Sequence, residues 1–206
     1  MKERDYDKRL DVKTEGNQSG FNDSPHFHRY EPTPYALLER LFAQYKLEAG
    51  DRLVDFGCGK GRLNFYVHHL FGIETAGVEL NPIFFNEALE NQEQYAKKRK
   101  DASGKIRFYC CPAQEYEISR KDNRFYFFNP FSVQVFMSVI ANILRSVEVA
   151  GREVEVLLFF PSDDYIDFLE RRTSFELKEE IVLPGAQKDP RERFLVYRLS
   201  GSGLET

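Results

Sequence analysis

The hydrophobic positions of this chain form short unbroken apolar runs, separated by stretches in which apolar residues recur at helical spacing. The runs, each predicting a buried strand, lie within residues 53–56, 73–80, 105–111, 123–129 and 152–160. The helical stretches lie within residues 34–47, 61–71, 82–100, 132–147 and 162–172, and a shorter turn or helix lies near 112–118. Such alternation requires right-handed crossovers and predicts a largely parallel sheet covered by helices on both faces.

The two ends of the chain depart from this alternation. Residues 175–183 and 193–199 are strand-like runs without a helix between them, which predicts an antiparallel hairpin at the sheet edge. Residues 1–25 are polar and lack periodicity, so we expect a flexible polar arm ahead of one domain over 26–206. The fold class is therefore α/β: a single doubly wound, mainly parallel seven-stranded sheet with a C-terminal antiparallel hairpin.

Composition narrows the class of protein. The 206 residues are 42% hydrophobic and 30% charged, which is typical of a globular domain. The net charge of -4 gives no overall attraction to nucleic acid or to an anionic membrane. No apolar run approaches the roughly 18 residues of a membrane span. The polar N-terminus and three cysteines without a pairing pattern favour a cytoplasmic protein.

The stretch VDFGCGKG, residues 54–61, joins the first predicted strand to a helix through closely spaced glycines. A phosphate-binding P-loop would need Ser or Thr after Lys60, where Gly61 stands. A dinucleotide fingerprint would need a small residue where Arg62 stands, and the Asp55 carboxylate would repel nucleotide phosphates. Both of these alternatives are therefore weakened.

VDFGCGKG resembles motif I of the class I S-adenosylmethionine-dependent methyltransferases, which have a Rossmann-like fold. The resemblance implies that this cofactor binds and leaves as S-adenosylhomocysteine. Its methionine part would lie against the residues of the turn, Asp55, Phe56, Gly57, Cys58, Gly59 and Gly61. Glu79, beside Leu80 at the end of the second strand, would take both ribose hydroxyls. Ala113 and Gln114, after the third strand, match the segment that contacts adenine.

The fourth strand ends in FFNPFS, which resembles the [DN]-P-[PF]-[FY] motif of enzymes that methylate planar amines and amides. The resemblance implies that Asn129 and the carbonyl after it accept hydrogen bonds from the target nitrogen, so that the chemistry is mainly positioning. Pro130 and Phe131 match the motif, but Ser132 replaces its stacking aromatic residue, a role that Phe131 could take. In the alternative interpretation, Asn129 and Ser132 only cap the following helix.

The segment HRYEPTPY resembles the element that precedes motif I in several such enzymes. The resemblance implies that Tyr30 and Thr33 close over the methionine carboxylate; alternatively, Thr33 caps a helix that begins at Pro34. Four histidines without paired cysteines or clustered carboxylates predict no metal site.

We therefore expect a methyltransferase that acts on an amine or amide nitrogen of a small molecule or a protein side chain. Nucleic acid is the less favoured acceptor, because the predicted fold leaves no separate recognition domain. The alternative from another class is a binding or interaction protein that keeps the fold without transferring methyl groups. The oligomeric state is left open.

Overall fold

The computed structural model describes residues 2–16 and 31–201, which contain six α-helices and seven β-strands. The helices are α1 (Glu3–Leu10), α2 (Tyr35–Gln44), α3 (Arg62–Phe71), α4 (Pro82–Lys98), α5 (Val133–Val149) and α6 (Asp163–Arg172). The strands are β1 (Arg52–Phe56), β2 (Glu74–Glu79), β3 (Ile106–Cys110), β4 (Arg124–Phe127), β5 (Val154–Phe159), β6 (Glu176–Val182) and β7 (Arg193–Leu199). Short 3-10 helices cover Lys100–Ala102, Ala113–Glu115 and Pro184–Gln187.

All seven strands form one sheet in the order β3-β2-β1-β4-β5-β7-β6. The first five strands pair in parallel, and β7 pairs antiparallel with both β5 and β6. The predicted doubly wound sheet and its C-terminal hairpin are confirmed. The strand order reverses between β1 and β4, and ligands of open α/β sheets bind beyond the strand ends at this point.

Helices cover both faces of the sheet. On one face, α1, α2, α3 and α4 contribute side chains to a core cluster that includes Tyr6, Leu38, Phe65 and Tyr95. On the other face, α5 and α6 contribute to a second cluster, which contains Phe136 and Tyr165. The rings of Phe136 and Tyr165 stack with centroids 3.7 Å apart, so the two helices are joined by a buried aromatic contact.

Local sequence explains where two of these helices begin. The Asn81 side chain accepts a hydrogen bond from the Ile83 amide at 2.9 Å, and Pro82 occupies the first helical position of α4. Asn at the N-cap satisfies an amide that the helix leaves open, and Pro at the next position has no amide to satisfy. Ser162 caps α6 in the same way, through the Tyr165 amide.

Residues 2–16 correct the expectation of a flexible arm at the start of the chain. Glu3–Leu10 form α1, and the side chains of Tyr6 and Leu10 are 6% and 1% exposed within the core. The buried Asp7 carboxylate accepts hydrogen bonds from the Thr14 amide, the Thr14 hydroxyl and the Tyr35 hydroxyl. This end of the chain is therefore packed onto α2 and α3 rather than extended into solvent.

Candidate functional site

The glycine turn after β1 has a backbone that depends on glycine. Gly57, Gly59 and Gly61 have φ angles of 80°, 53° and 82°, in the left-handed region that other residues disfavour. The Gly57 and Cys58 amides both donate to the Val78 carbonyl, at 2.8 and 3.1 Å, which ties the turn to β2. A Cβ atom on Gly57 would lie 2.7 Å from the Cβ of Pro130, so glycine also admits the loop after β4.

Asp55 projects from β1 into a small cavity beside the turn. It pairs in register with Gly77 of β2 and Tyr126 of β4, and it is 5% exposed. No residue in the described part of the chain donates a hydrogen bond to its carboxylate. Burial, assisted by the nearby charge of Glu79, raises the pKa of Asp55 to about 8. The site thus contains a buried carboxyl group that would be stabilised as an anion by an added cation.

Glu79 is held at the end of β2 by two backbone hydrogen bonds. Its carboxylate oxygens accept one bond each, from the amides of Gly59 and Asn81, both at 2.8 Å. Burial raises the pKa of Glu79, while the hydrogen bonds that it accepts from the Asn81 and Gly59 amides, together with the nearby Leu80 amide, act to lower it. Each carboxylate oxygen keeps further acceptor capacity, which suits a pair of neighbouring hydroxyl groups.

The segment before α2 contains the predicted site residues Tyr30 and Thr33. Tyr30 lies outside the described residues. Thr33 is buried in the wall of the Asp55 cavity, where its hydroxyl lies 2.7 Å from the hydroxyl of Tyr126. The predicted helix cap is wrong: α2 begins at Tyr35, and Pro34 occupies the N-cap position without a side-chain hydrogen bond.

The loop after β4 reaches the turn through Pro130 and places Asn129 at its start. Asn129 is half-buried and has a φ of 39°, a conformation that Asn tolerates better than most residues. Phe131 does not fit the predicted stacking role, because its ring is 3% exposed and packs edge-on against Phe127. The Phe131 carbonyl accepts a hydrogen bond from Tyr165, and Ser132 occupies the N-cap position of α5.

The remaining predicted contacts lie around the same strand ends. Ala113 is buried in the core, whereas Gln114 is exposed and its carbonyl accepts a hydrogen bond from Asn142 at 2.8 Å. Leu80 is half-buried beside Glu79. The Phe56 ring is in the core, stacked on Phe127 with centroids 5.0 Å apart, so only its backbone faces the turn. Cys58 is buried, and burial raises the pKa of its thiol.

Sequence reasoning missed six residues that line the Asp55 cavity: Glu31, Pro32, Arg62, Leu63, Tyr126 and Phe128. Tyr126 could have been found, since strand alternation places it on the same face as its register partner Asp55. The cavity has a volume of about 30 Å³. This volume is roughly that of one water molecule, so a larger ligand would require neighbouring side chains to move apart.

A larger groove lies away from these residues, at the β3 edge. It has a volume of about 1030 Å³ and is lined by Tyr109, Gln114, Arg145 and neighbouring residues, but not by Asp55, Glu79 or Asn129. Between β3 and β4 there is only a 3-10 helix, Ala113–Glu115, so no full helix covers the sheet there. The groove results from that short crossover, and chemistry is better sought at the carboxyl ends of β1, β2 and β4.

The described residues contain neither a metal-binding cluster nor a membrane-spanning helix. Within residues 2–16 and 31–201, no three His, Cys, Asp or Glu side chains cluster closely enough to hold a metal ion. In the same ranges, no helix combines the length and apolar character needed to cross a bilayer.

No protein-family model matches the chain. A curated relative, a protein-lysine N-methyltransferase from Saccharolobus islandicus, is 36% identical over 66 residues, which are 32% of this chain. The match spans 41% of the length of that relative.

Solved structures share the fold at low sequence identity. A putative RNA methyltransferase from Pyrococcus horikoshii is 19% identical with a TM-score of 0.61, covering 96% of this chain and 97% of that one. An RNA methyltransferase from Salinibacter ruber, crystallised with S-adenosyl-L-homocysteine, is 20% identical with a TM-score of 0.53, covering 85% and 98%. The chain therefore shares the fold of these methyltransferase structures, and the predicted Rossmann-like fold is confirmed.

Proposed function

We propose that this protein is an S-adenosylmethionine-dependent methyltransferase that acts on an amine or amide nitrogen of a small molecule or a protein side chain. The observation that carries the proposal is the convergence of Asp55, Glu79 and Asn129 on one glycine turn. These three polar side chains come from the carboxyl ends of three neighbouring parallel strands.

The charges and acceptors at the turn suit this cofactor. The Asp55 carboxylate would bind the ammonium group, and the Glu79 carboxylate would accept hydrogen bonds from the two ribose hydroxyls. The positive φ angles of Gly57, Gly59 and Gly61 shape the turn that would lie against the methionine part. Ala113, Gln114 and Leu80 are the residues that we assign to the adenine.

The bound cofactor would supply an electrophilic methyl group on a sulfonium. The protein would contribute the position of the acceptor: the Asn129 side-chain oxygen and the carbonyl after it would accept hydrogen bonds from the target nitrogen. This contact aims the nitrogen lone pair along the line of displacement, and such positioning is a large part of the catalysis available to a transfer reaction. The strained backbone of Asn129, with a φ of 39°, supports a role beyond helix capping.

Among nitrogen acceptors we favour the side-chain amine of a protein lysine. The lysine methyltransferase of Saccharolobus islandicus resembles this chain over 66 residues, which supports that choice. Nucleic acid remains the second candidate, because structures with the same fold include RNA methyltransferases. The three free cysteines fit a reducing compartment, and we propose a cytoplasmic location.

The test of the proposal is transfer of a radiolabelled methyl group from S-adenosylmethionine into a cell extract, followed by digestion with protease or ribonuclease. We expect label that protease releases and ribonuclease does not. Label released by ribonuclease alone would make RNA the acceptor. No transfer to protein, RNA or small molecules, despite cofactor binding, would favour the binding protein over the enzyme.

Asn129→Gly tests the catalytic assignment, because glycine keeps the positive φ and removes only the side chain. We expect turnover to fall by about 100-fold or more, since small misplacements at the reacting atoms have effects of that size. Affinity for S-adenosylhomocysteine should change less than about threefold, because the cofactor contacts are elsewhere. Ser138→Ala, an exposed position on α5, is the control and should leave turnover unchanged. Unchanged turnover in Asn129→Gly would contradict the assignment.

A further inference from the structure

Arg62 is a buried cation at the same cavity as Asp55. It is the first residue of α3, its relative exposure is 5%, and it lines the cavity together with Asp55, Thr33 and Tyr126. An arginine stays charged at every physiological pH, so burial requires anionic or polar partners around the guanidinium. Those partners determine the orientation of the guanidinium.

The N-terminal segment, residues 2–16, supplies two of these partners. The Nε atom donates to the Thr14 hydroxyl at 2.7 Å, and Nη1 forms a salt bridge with Glu3 of α1. Nη1 also donates to the Thr33 carbonyl at 3.2 Å, and the guanidinium carbon lies 4.5 Å from the centre of the Tyr35 ring. The guanidinium is therefore held through its Nε and Nη1 atoms.

The other terminal nitrogen, Nη2, has no hydrogen-bond acceptor among residues 2–16 and 31–201. A guanidinium carries five N–H groups in a planar fork, and the two on Nη2 remain available. The cavity is thus lined by the cationic Arg62 and by the anionic Asp55 and Glu31, and Asp55 and Arg62 each keep unused hydrogen-bonding capacity. A free amino acid group carries the complementary pair, an ammonium and a carboxylate.

We propose that Arg62 binds the carboxylate of the cofactor's methionine part, opposite the ammonium that Asp55 binds; this inference rests on the proposed function. Arginine forms strong charge-assisted hydrogen bonds to carboxylates. Glu3 and Thr14 are positioning residues, because they hold the guanidinium without touching the ligand. Helix α1 is then part of the cofactor site rather than an appendage of the fold.

The first test uses the unmutated protein and two ligands. S-adenosylmethionine and its decarboxylated form differ only in the carboxylate, so their affinities, measured by calorimetry, report recognition of that group. We expect the decarboxylated form to bind about tenfold more weakly or worse, the effect of losing charged hydrogen bonds. Equal affinities would overturn the inference and leave the proposed function standing. Failure of both ligands to bind would overturn the two together.

The second test assigns the recognition to Arg62. In Arg62→Gln, affinity for S-adenosylmethionine should fall about tenfold, while affinity for the decarboxylated form should stay within about twofold. Arg62→Lys keeps the charge and should restore part of the loss. An equal loss for both ligands would show that Arg62 only supports the fold. Arg171→Gln, which breaks an exposed pair with Asp167, is the control and should leave both affinities unchanged.

Thr14→Val provides a milder variant if Arg62→Gln does not fold. The variant removes the hydroxyl that accepts the hydrogen bond from Arg62 Nε and keeps the guanidinium. Any effect on ligand affinity would therefore come from a changed orientation of the guanidinium. We expect the preference for S-adenosylmethionine over the decarboxylated form to shrink by about threefold or more, since a single hydrogen bond of this kind is worth that much. A preference equal to that of the unmutated protein would contradict the positioning role of Thr14.

Discussion

The ionisation of Asp55 makes the stability of the ligand-free protein depend on pH. The carboxyl group is buried and forms no salt bridge within residues 2–16 and 31–201, although Arg62 lines the same cavity, and its pKa is raised to about 8. A carboxyl group whose pKa is higher in the folded than in the unfolded protein binds more protons when folded. It therefore lowers stability as the pH rises from about 4 to about 8, and a bound cation would remove that effect.

Asp55→Asn should raise the melting temperature of the ligand-free protein, and the gain should be larger at pH 9 than at pH 5. The reason is that the amide has no charge to bury, whereas the carboxyl group becomes charged over this range. Thermal unfolding of both proteins across the range measures the difference. Asp167→Asn, at an exposed position, should show no such growth, because its charge is solvated in both states. An increase in melting temperature that is the same at every pH in Asp55→Asn would contradict the raised pKa of Asp55.

At the scale of elements, α1 is the part of the fold that sequence patterns did not reveal. It is only eight residues long and mostly charged, and its buried residues are Tyr6, Asp7 and Leu10. Its apolar face consists of only Tyr6 and Leu10, and an isolated helix of that length is not stable in water. Its stability comes from long-range contacts, such as the hydrogen bond from the Tyr35 hydroxyl to Asp7 at 2.8 Å.

Leu10→Ala should lower the free energy of unfolding by about 2–5 kcal/mol, because it leaves a cavity under a side chain that is 1% exposed. Denaturant unfolding of the purified protein measures the change. Leu70→Ala on α3, where the leucine is 46% exposed, is the matched control and should have a much smaller effect. Equal stability of Leu10→Ala and the unmutated protein would show that α1 does not contribute to the core.

Other elements were predictable because local and long-range signals agreed. The apolar run at β1 and the Asn81-Pro82 start of α4 follow from residue types alone. The face to which an aromatic side chain points was harder to predict. Phe131 matches a motif by type, but the course of the loop turns its ring into the core, against Phe127. Motifs therefore located the site, whereas packing decided which of its side chains are accessible.

At the scale of the whole molecule, the reversal of strand order between β1 and β4 creates the site. It brings Asp55, Glu79 and Asn129 to one edge of the sheet although they are distant in sequence. The amino ends of the same strands, on the opposite side of the sheet, lack these three side chains. Under the proposed function, the loops at the carboxyl ends of the strands would select the acceptor, and the fold alone does not define it.

The most direct test of the account is a calorimetric titration of the protein with S-adenosylhomocysteine, repeated with Glu79→Ala and with Glu93→Ala, an exposed position on α4. We expect micromolar binding that falls at least about tenfold in Glu79→Ala, since two hydroxyl contacts are lost. Binding should be unchanged in Glu93→Ala. No binding by the unmutated protein, or equal binding by all three proteins, would contradict the assignment of this edge as a cofactor site.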